Sequence, residues 1–450
     1  MFLNSKFSKI NTMIVMKFGG SSVKDAVMFK TVADIVKSKL DKKPVVVLSA
    51  VKGITDTLIA SYKEAVQQKF DSYQKIIDIH KKIISDLGVD SDVVKEELDE
   101  LKEVLDVIAK TKEQSAQMLD YVSFFGERMS TKIWAAYMTK IGMPAKAFVS
   151  GDIGLITDSH FGDATILESS FEKMKNEISK IKVLPVVTGF GGKDENGEYT
   201  TFNRGGSDYV ASLVGAGIDA EVIEIWTDVN GVMSADPRVV PGAKTIPELS
   251  FDEASELAYF GAKVLHPKTI LPAIEKNIPV LVLNTFEPTN KGTRIVKNQK
   301  ESPGHIKSIS WKKGISVIDV KSTRMIDAYG YLAKIFSVFD KYKKPVDMIT
   351  TSEINVSMTV DSKENVENIV NELKHIAEID LAYDKAIVYV VGASMKRKIG
   401  TASKIFDILA KSNININMIS QCFEEISIGL VVDENVAESV VKILHQELIG

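Results

Sequence analysis

A chain of 450 residues, 45% hydrophobic and 26% charged, has the composition of a soluble globular protein with room for two or three domains. A formal net charge of −4 gives no positive field for a phosphate backbone, so small molecules and not nucleic acid are the expected partners. The lone Cys422 excludes an intrachain disulfide, the 6 histidines fall at no metal-ligand spacing, and no apolar run nears the ~20 residues that span a bilayer.

Residues 1–12 read as a leader, and the fold is expected to begin at Met13. From there to about residue 285, short apolar runs alternate with helical patterns, as in a mainly parallel sheet covered by helices. The runs are 13–18, 44–50, 144–150, 184–190, 221–227 and 279–285. Between 56 and 141 charged amphipathic segments take over, and this stretch reads as a helical insertion or subdomain, with a solvated antiparallel helix pair over 60–112 as the alternative.

The polar, turn-rich stretch 287–304 is the expected domain boundary. Beyond it, 315–320, 328–343, 346–351, 354–360, 364–376 and 379–384 read as β-α-β-β-α-β, and the same order restarts at 386–392. The repeat is about 70 residues long. Its second copy lacks a last strand, and 305–312 is expected to supply it, so that the two units stand side by side in one continuous pair of sheets. The expected domains are therefore 13–295, 314–385, and 305–313 with 386–450.

Several motifs have the residue types that phosphate chemistry needs. Lys17-Phe18-Gly19-Gly20-Ser21-Ser22 places paired glycines and a cation at a strand exit, where bare amides face phosphate oxygens. On its own it is also an ordinary turn. Neither a GxxxxGK[ST] loop nor a GxGxxG helix start occurs, so a P-loop and a Rossmann site are excluded. Asn203-Arg204-Gly205-Gly206-Ser207-Asp208 delivers amides, a guanidinium and a carboxylate to a helix start, though Ser207 and Asp208 also fit simple capping. Trp226-Thr227-Asp228-Val229-Asn230-Gly231, Asp236-Pro237-Arg238 and 260–267 place charged residues at turns, and Glu127-Arg128 interrupts an apolar helix.

Taken in order and spacing, KFGGSS (17–22), GITD (53–56), GE (126–127), NRGGSD (203–208), WTDVNGV (226–232), DPR (236–238) and FGAKVLHP (260–267) resemble the aspartate kinase family over nearly the whole chain. The C-terminal repeat is similar to the paired ACT domains of that family, and 349–353 resembles the effector strand of its lysine-sensitive members. The resemblance implies an α/β amino-acid-kinase fold followed by two ferredoxin-like βαββαβ ACT units. It also implies a cytoplasmic enzyme that transfers the γ-phosphoryl of ATP to the side-chain carboxylate of aspartate, the first step toward lysine, threonine and methionine. Another carboxylate kinase of the same fold and a catalytically silent amino-acid sensor are the alternatives.

Residue roles follow from the resemblance alone. Lys17 and Asp208 are the implied catalytic pair. Ser49, Thr55, Glu127, Arg204, Gly205, Gly206 and Ser207 are implied substrate contacts, with Glu127 on the ammonium and Arg204 on the α-carboxylate. Nucleotide contacts carry over to Lys17, Gly19, Gly20, Ser21, Thr227, Asp228, Met233, Arg238, Lys263 and Val264, although Met233 stands where many relatives have tyrosine. Mg²⁺ is expected to arrive on ATP, with no protein metal site. An amino-acid effector, lysine, is expected at Met325, Tyr331, Leu332, Val346, Asp347, Ser352 and Glu353, between ACT units of a homo-oligomer, either a dimer or a tetramer.

Overall fold

From the N-terminus the strands are β1 (Ile14–Phe18), β2 (Pro44–Leu48), β3 (Ala145–Phe148), β4 (Ile156–Thr157), β5 (Leu184–Thr188), β6 (Gly191–Asp194), β7 (Tyr199–Thr201), β8 (Val222–Thr227), β9 (Glu248–Ser250), β10 (Val280–Asn284) and β11 (Thr293–Val296). They are separated by α1 (Ala26–Lys37), α2 (Ile54–Val66), α3 (Asp71–Leu87), α4 (Lys95–Thr111), α5 (Ala116–Lys140), α6 (Ser169–Lys180), α7 (Gly206–Gly217), α8 (Phe251–Tyr259) and α9 (Pro267–Glu275). The computed structural model describes residues 13–203, 205–259, 265–297, 306–325, 329–392, 395, 398–421 and 426–450.

All six apolar runs form strands, and these six lie side by side in the order β3-β5-β2-β1-β8-β10, every neighbouring pair parallel. Antiparallel β11 and then β9 complete that edge. β1 and β2 are buried at every position, as strands covered on both faces are, and Lys17 is the one charged residue among them. The exits of β1, β2, β5 and β8 therefore share one end of the sheet, where parallel sheets place ligands.

The 56–141 insertion is part of the core. Ile76, Ile83, Leu87, Leu101, Leu105 and Ile108 of α3 and α4 pack in the same buried cluster as Phe29, Trp134 and Met138. Capping fixes where two of the flanking helices start: Asp25 accepts from the Met28 amide at 2.9 Å, and Ser115 from the Met118 amide at 3.2 Å.

The chain divides into two compact units. The second holds Met233–Ile246 and α8 as well as everything described from residue 306 onward, so two stretches inside the expected 13–295 domain pack with the repeat. Its elements are β12 (Ser308–Lys321), α10 (Tyr331–Lys341), β13 (Met348–Thr351), β14 (Asn355–Asp361), α11 (Val366–Leu373), β15 (Glu378–Val391), α12 (Thr401–Lys411), β16 (Met418–Gln421), β17 (Ser427–Asp433) and α13 (Glu434–Leu448). They build one antiparallel sheet, β13-β14-β12-β15-β17-β16. Strand breaks expected near 313 and 385 are kinks. Gly314 and Asp384 take positive φ of 72° and 55°, and β12 and β15 run through both repeats with register shifts at Lys312–Ile315 and Ile315–Val317. Ser308–Lys312 pairs with Ile387–Val391 of the second copy, while Val317–Lys321 pairs with Glu378–Ala382 of the first.

Candidate active site

At the strand exits of the first unit lies a cavity of about 360 Å³. It is lined by Lys17, Gly19, Gly20, Ser49, Thr55, Glu127, Gly205, Gly206, Ser207 and Asp208, so ten of the residues expected at the site come from five separate stretches to one place.

Lys17 is the fourth residue of β1, and its Nζ lies 2.5 Å from Asp208 Oδ1 near the start of α7. Both side chains are largely buried, which strengthens their attraction relative to a surface pair. Gly205 has a φ of +80° as the N-cap of α7, a left-handed turn that turns the helix start toward the cavity. The Gly19 amide donates to the Trp226 carbonyl at 3.2 Å, and Ser22 Oγ lies 2.7 Å from Thr285 Oγ1, which ties the glycine turn to β8 and β10.

Glu127 lies mid-way along α5. Its Oε1 accepts from the Ala50 amide at 3.0 Å, and Ser130 one turn later donates to the Ser49 carbonyl at 2.8 Å, so α5 is fastened to the turn after β2. Close approach depends on Gly126, where a Cβ would come within 2.7 Å of the Ala50 Cβ. Glu127 Oε2 is buried and has no hydrogen-bond partner among the described residues. Burial pushes the carboxyl up to about 7 against the opposing pull of the Ala50 amide, its own amide and the Lys17 charge. A buried carboxylate oxygen without a donor, lining a cavity, has an unmet capacity to pair with a cationic group.

Other expected residues fall elsewhere. Ser21 sits in the short turn Gly20–Val23. Thr227 ends β8, where its carbonyl accepts from the Thr285 amide at 2.9 Å, and exposed Asp228 follows it. Arg204, Lys263 and Val264 lie outside the described residues. Met233 and Arg238 belong to the second unit. The Met233 carbonyl accepts from Ser308 Oγ at 3.0 Å, and the exposed Arg238 guanidinium forks onto Asp236 at 2.7 to 3.2 Å, which holds the Asp236 carboxyl below its usual range.

In the expected effector region, Met325, Tyr331 and Val346 pack against the core of the first repeat, and Tyr331 Oη donates to the Ile376 carbonyl at 3.0 Å. Leu332, Ser352 and Glu353 are exposed. The Asp347 side chain is buried and pairs with Lys312 at 3.2 Å.

The cavity also uses Ala50, Val51, Lys52, Gly53, Asp56, Phe190 and Asn203. Gly53, Asp56 and Asn203 fall inside the 53–56 and 203–208 motifs, and the signal for the others was position: 50–52 follow β2, the neighbour of β1, and 190 follows β5, the next strand of the same parallel sheet.

The family model of the amino acid kinase family matches residues 12–284, and an ACT domain model matches 318–373 and 388–448. Aspartokinase 3, chloroplastic, of Arabidopsis thaliana is 40% identical over 96% of this chain and 80% of its own length. The chain belongs to the aspartokinase family. Lysine-sensitive aspartokinase 3 of Escherichia coli is 32% identical over 98% of this chain and 100% of its own. The crystal structure of E. coli aspartokinase III in complex with lysine and aspartate superposes with a TM-score of 0.82 at 30% identity, covering 97% of this chain and 100% of that one. The fold is accordingly the amino-acid-kinase fold with C-terminal ACT domains, and the family's enzymes phosphorylate the side-chain carboxyl of aspartate at the expense of ATP. Among the described residues, no helix is long and apolar enough to cross a membrane.

Proposed function

We propose that this chain phosphorylates L-aspartate on its side-chain carboxylate, with both ends of the reaction held in the cavity between Lys17 and Glu127. The observation that carries the reading is Glu127 Oε2, a buried acceptor without a donor in a cavity that also holds the Lys17–Asp208 pair. An amino acid with one ammonium and two carboxylates matches that inventory.

No general base is required, because the attacking carboxylate is already ionised at neutral pH. A side-chain oxygen forms a bond to the γ-phosphorus while the bond to the β,γ-bridging oxygen breaks, and ADP departs with that electron pair. The obstacle is the approach of two anions. Lys17 places its ammonium where negative charge gathers, and Asp208 holds that ammonium in place. The backbone at Gly19 and Gly20 supports the phosphates; a Cβ at Gly20 would come within 3.1 Å of the Ala50 carbonyl, so the turn is narrow. Glu127 accepts the substrate ammonium, and Arg204 takes the α-carboxylate beside the amides of 205–207. Asp208, the cavity acid paired with Lys17, would contact a Mg²⁺ ion carried by the nucleotide, and that ion would screen the phosphate charge.

The repeat acts as an amino-acid sensor for lysine in a homo-oligomer, with Met325, Tyr331, Leu332, Val346, Asp347, Ser352 and Glu353 as the effector site. Support comes from the relative described as lysine-sensitive and from the solved neighbour in complex with lysine. The direct test is ADP release with aspartate, glutamate and acetylglutamate as acceptors. Turnover with aspartate alone is expected. Turnover with another acceptor, or none at all, overturns the assignment.

A further inference from the structure

Asp120 is a buried carboxylate with no role in the chemistry above. Its side chain receives three hydrogen bonds: Oδ2 from the Gly162 amide at 2.8 Å and from the Thr201 amide at 2.9 Å, and Oδ1 from Thr201 Oγ1 at 2.7 Å. Thr201 is the last residue of β7, and only Phe202 to Arg204 separate it from Gly205 at the lip of the cavity. Asp120 and Glu127 are seven residues apart on α5, two turns along one face and about 10 Å along the axis. One helix face therefore holds the proposed ammonium ligand at one point and the strand that feeds the 203–208 loop at another.

The rest of β7 is seated on the same helix. The Tyr199 ring stacks on Phe124 at 4.9 Å and meets the edge of Tyr121 at 5.3 Å. The guanidinium of Arg128, next to Glu127, lies over both Phe125 and Tyr199. Two carboxylates of α4 hold Arg128 in turn, Glu100 at 2.5 Å and Glu97 at 3.5 Å. Aromatic contact permits sliding along the strand; three convergent hydrogen bonds to one carboxylate do not.

We infer that Asp120 is a positioning residue that sets the separation between Glu127 and the 203–208 loop, and so the fit of an amino acid held at both ends. The inference rests on the aspartate kinase reading. Wild-type turnover of aspartate is measured first, and its absence would refute that reading without bearing on Asp120.

Three variants read the ruler. Asp120→Ala deletes all three bonds, and the KM for aspartate is expected to rise tenfold or more while the KM for ATP stays within twofold. In Asp120→Asn the amide oxygen can keep both backbone bonds and the amide nitrogen can donate to Thr201 Oγ1, so the KM for aspartate should return to within threefold of wild type. Thr201→Val deletes only the side-chain bond and is expected to give a threefold rise. If Asp120→Ala yields no soluble enzyme, Thr201→Val and Asp120→Asn carry the test. Equal increases in both KM values, a lower thermal midpoint with unchanged KM, or an aspartate KM unmoved in Thr201→Val would overturn the inference.

Discussion

Lys17 Nζ lies 2.5 Å from Asp208 Oδ1, across two elements nearly 200 residues apart in sequence, and neither side chain is more than about one-sixth exposed. In the proposed mechanism such a pair keeps a cation fixed before the nucleotide arrives, so no reorganisation is needed as charge develops. Lys17→Ala is expected to lower kcat by ~10²–10³-fold with the fold retained. Asp208→Asn, which leaves Lys17 charged but unheld, should fall between that variant and wild type. Near-normal turnover in purified Lys17→Ala removes the lysine from the transition state.

In its proposed role, Glu127 makes aspartate binding depend on pH near neutrality. With its carboxyl pushed up to about 7, acidification neutralises the ammonium ligand, and the KM for aspartate should climb about tenfold per unit below that point. Stability has the opposite sign. The unfolded carboxyl ionises near 4.5 and the folded one near 7, so folding loses stability as pH rises through that window, and ligand-free Glu127→Gln should be at least as stable as wild type above pH 7. In that variant the aspartate KM is high and flat with pH. A wild-type KM that does not change between pH 6 and 8 contradicts the role.

His80 offers a stability test remote from the chemistry. Its Nδ1 lies 2.7 Å from the Ile76 carbonyl inside the α3 turn, and burial lowers its pKa to about 4. The unfolded imidazole takes its proton near 6.5, so the stability that His80 contributes is complete above that pH and is lost as pH falls toward 4. The loss amounts to about 3 kcal/mol, taken from the size of that shift. Urea melts at pH 7 and pH 4.5 should differ less in His80→Leu than in wild type. Equal differences would mean that other groups govern the acid limb.

Much of this was legible because the strands announce themselves. A five-residue run such as Val45–Val47 with its neighbours admits few readings besides a doubly covered parallel strand, and the motifs at its exits then share one sheet end. Backbone partners left no such trace. Nothing in the sequence around Ala50 marks its amide as the donor to Glu127, and a solitary acid such as Asp120 looks like any helix surface residue. The packing of the 233–246 stretch with the repeat was hidden for a related reason. Ala235 and Val239 enter a core with Leu409, Leu430 and Leu444, but two apolar residues around a turn carry no period to read. Gly314 and Asp384 mimic strand ends because positive φ usually marks a turn, whereas here it marks a bulge.

The effector proposal meets a specific obstacle at Asp347. Its side chain is 2% exposed, and Lys312 of β12 already occupies it at 3.2 Å, with Asp361 on the other side of the same ammonium at 3.3 Å. An incoming lysine must share that carboxylate or displace the resident cation, since a second ammonium beside the first is repelled. Displacement leaves Lys312 with Asp361, a partly exposed partner, so the exchange is feasible but opposed. Lys312→Met removes the competitor. The L-lysine concentration for half-inhibition is then expected to fall about tenfold, while L-threonine stays without effect. Glu353→Ala, at an exposed position on the same strand connection, should raise it. If Lys312→Met leaves lysine inhibition unchanged, Asp347 does not receive the effector's ammonium, and inhibition by threonine alone would remove lysine as the effector altogether.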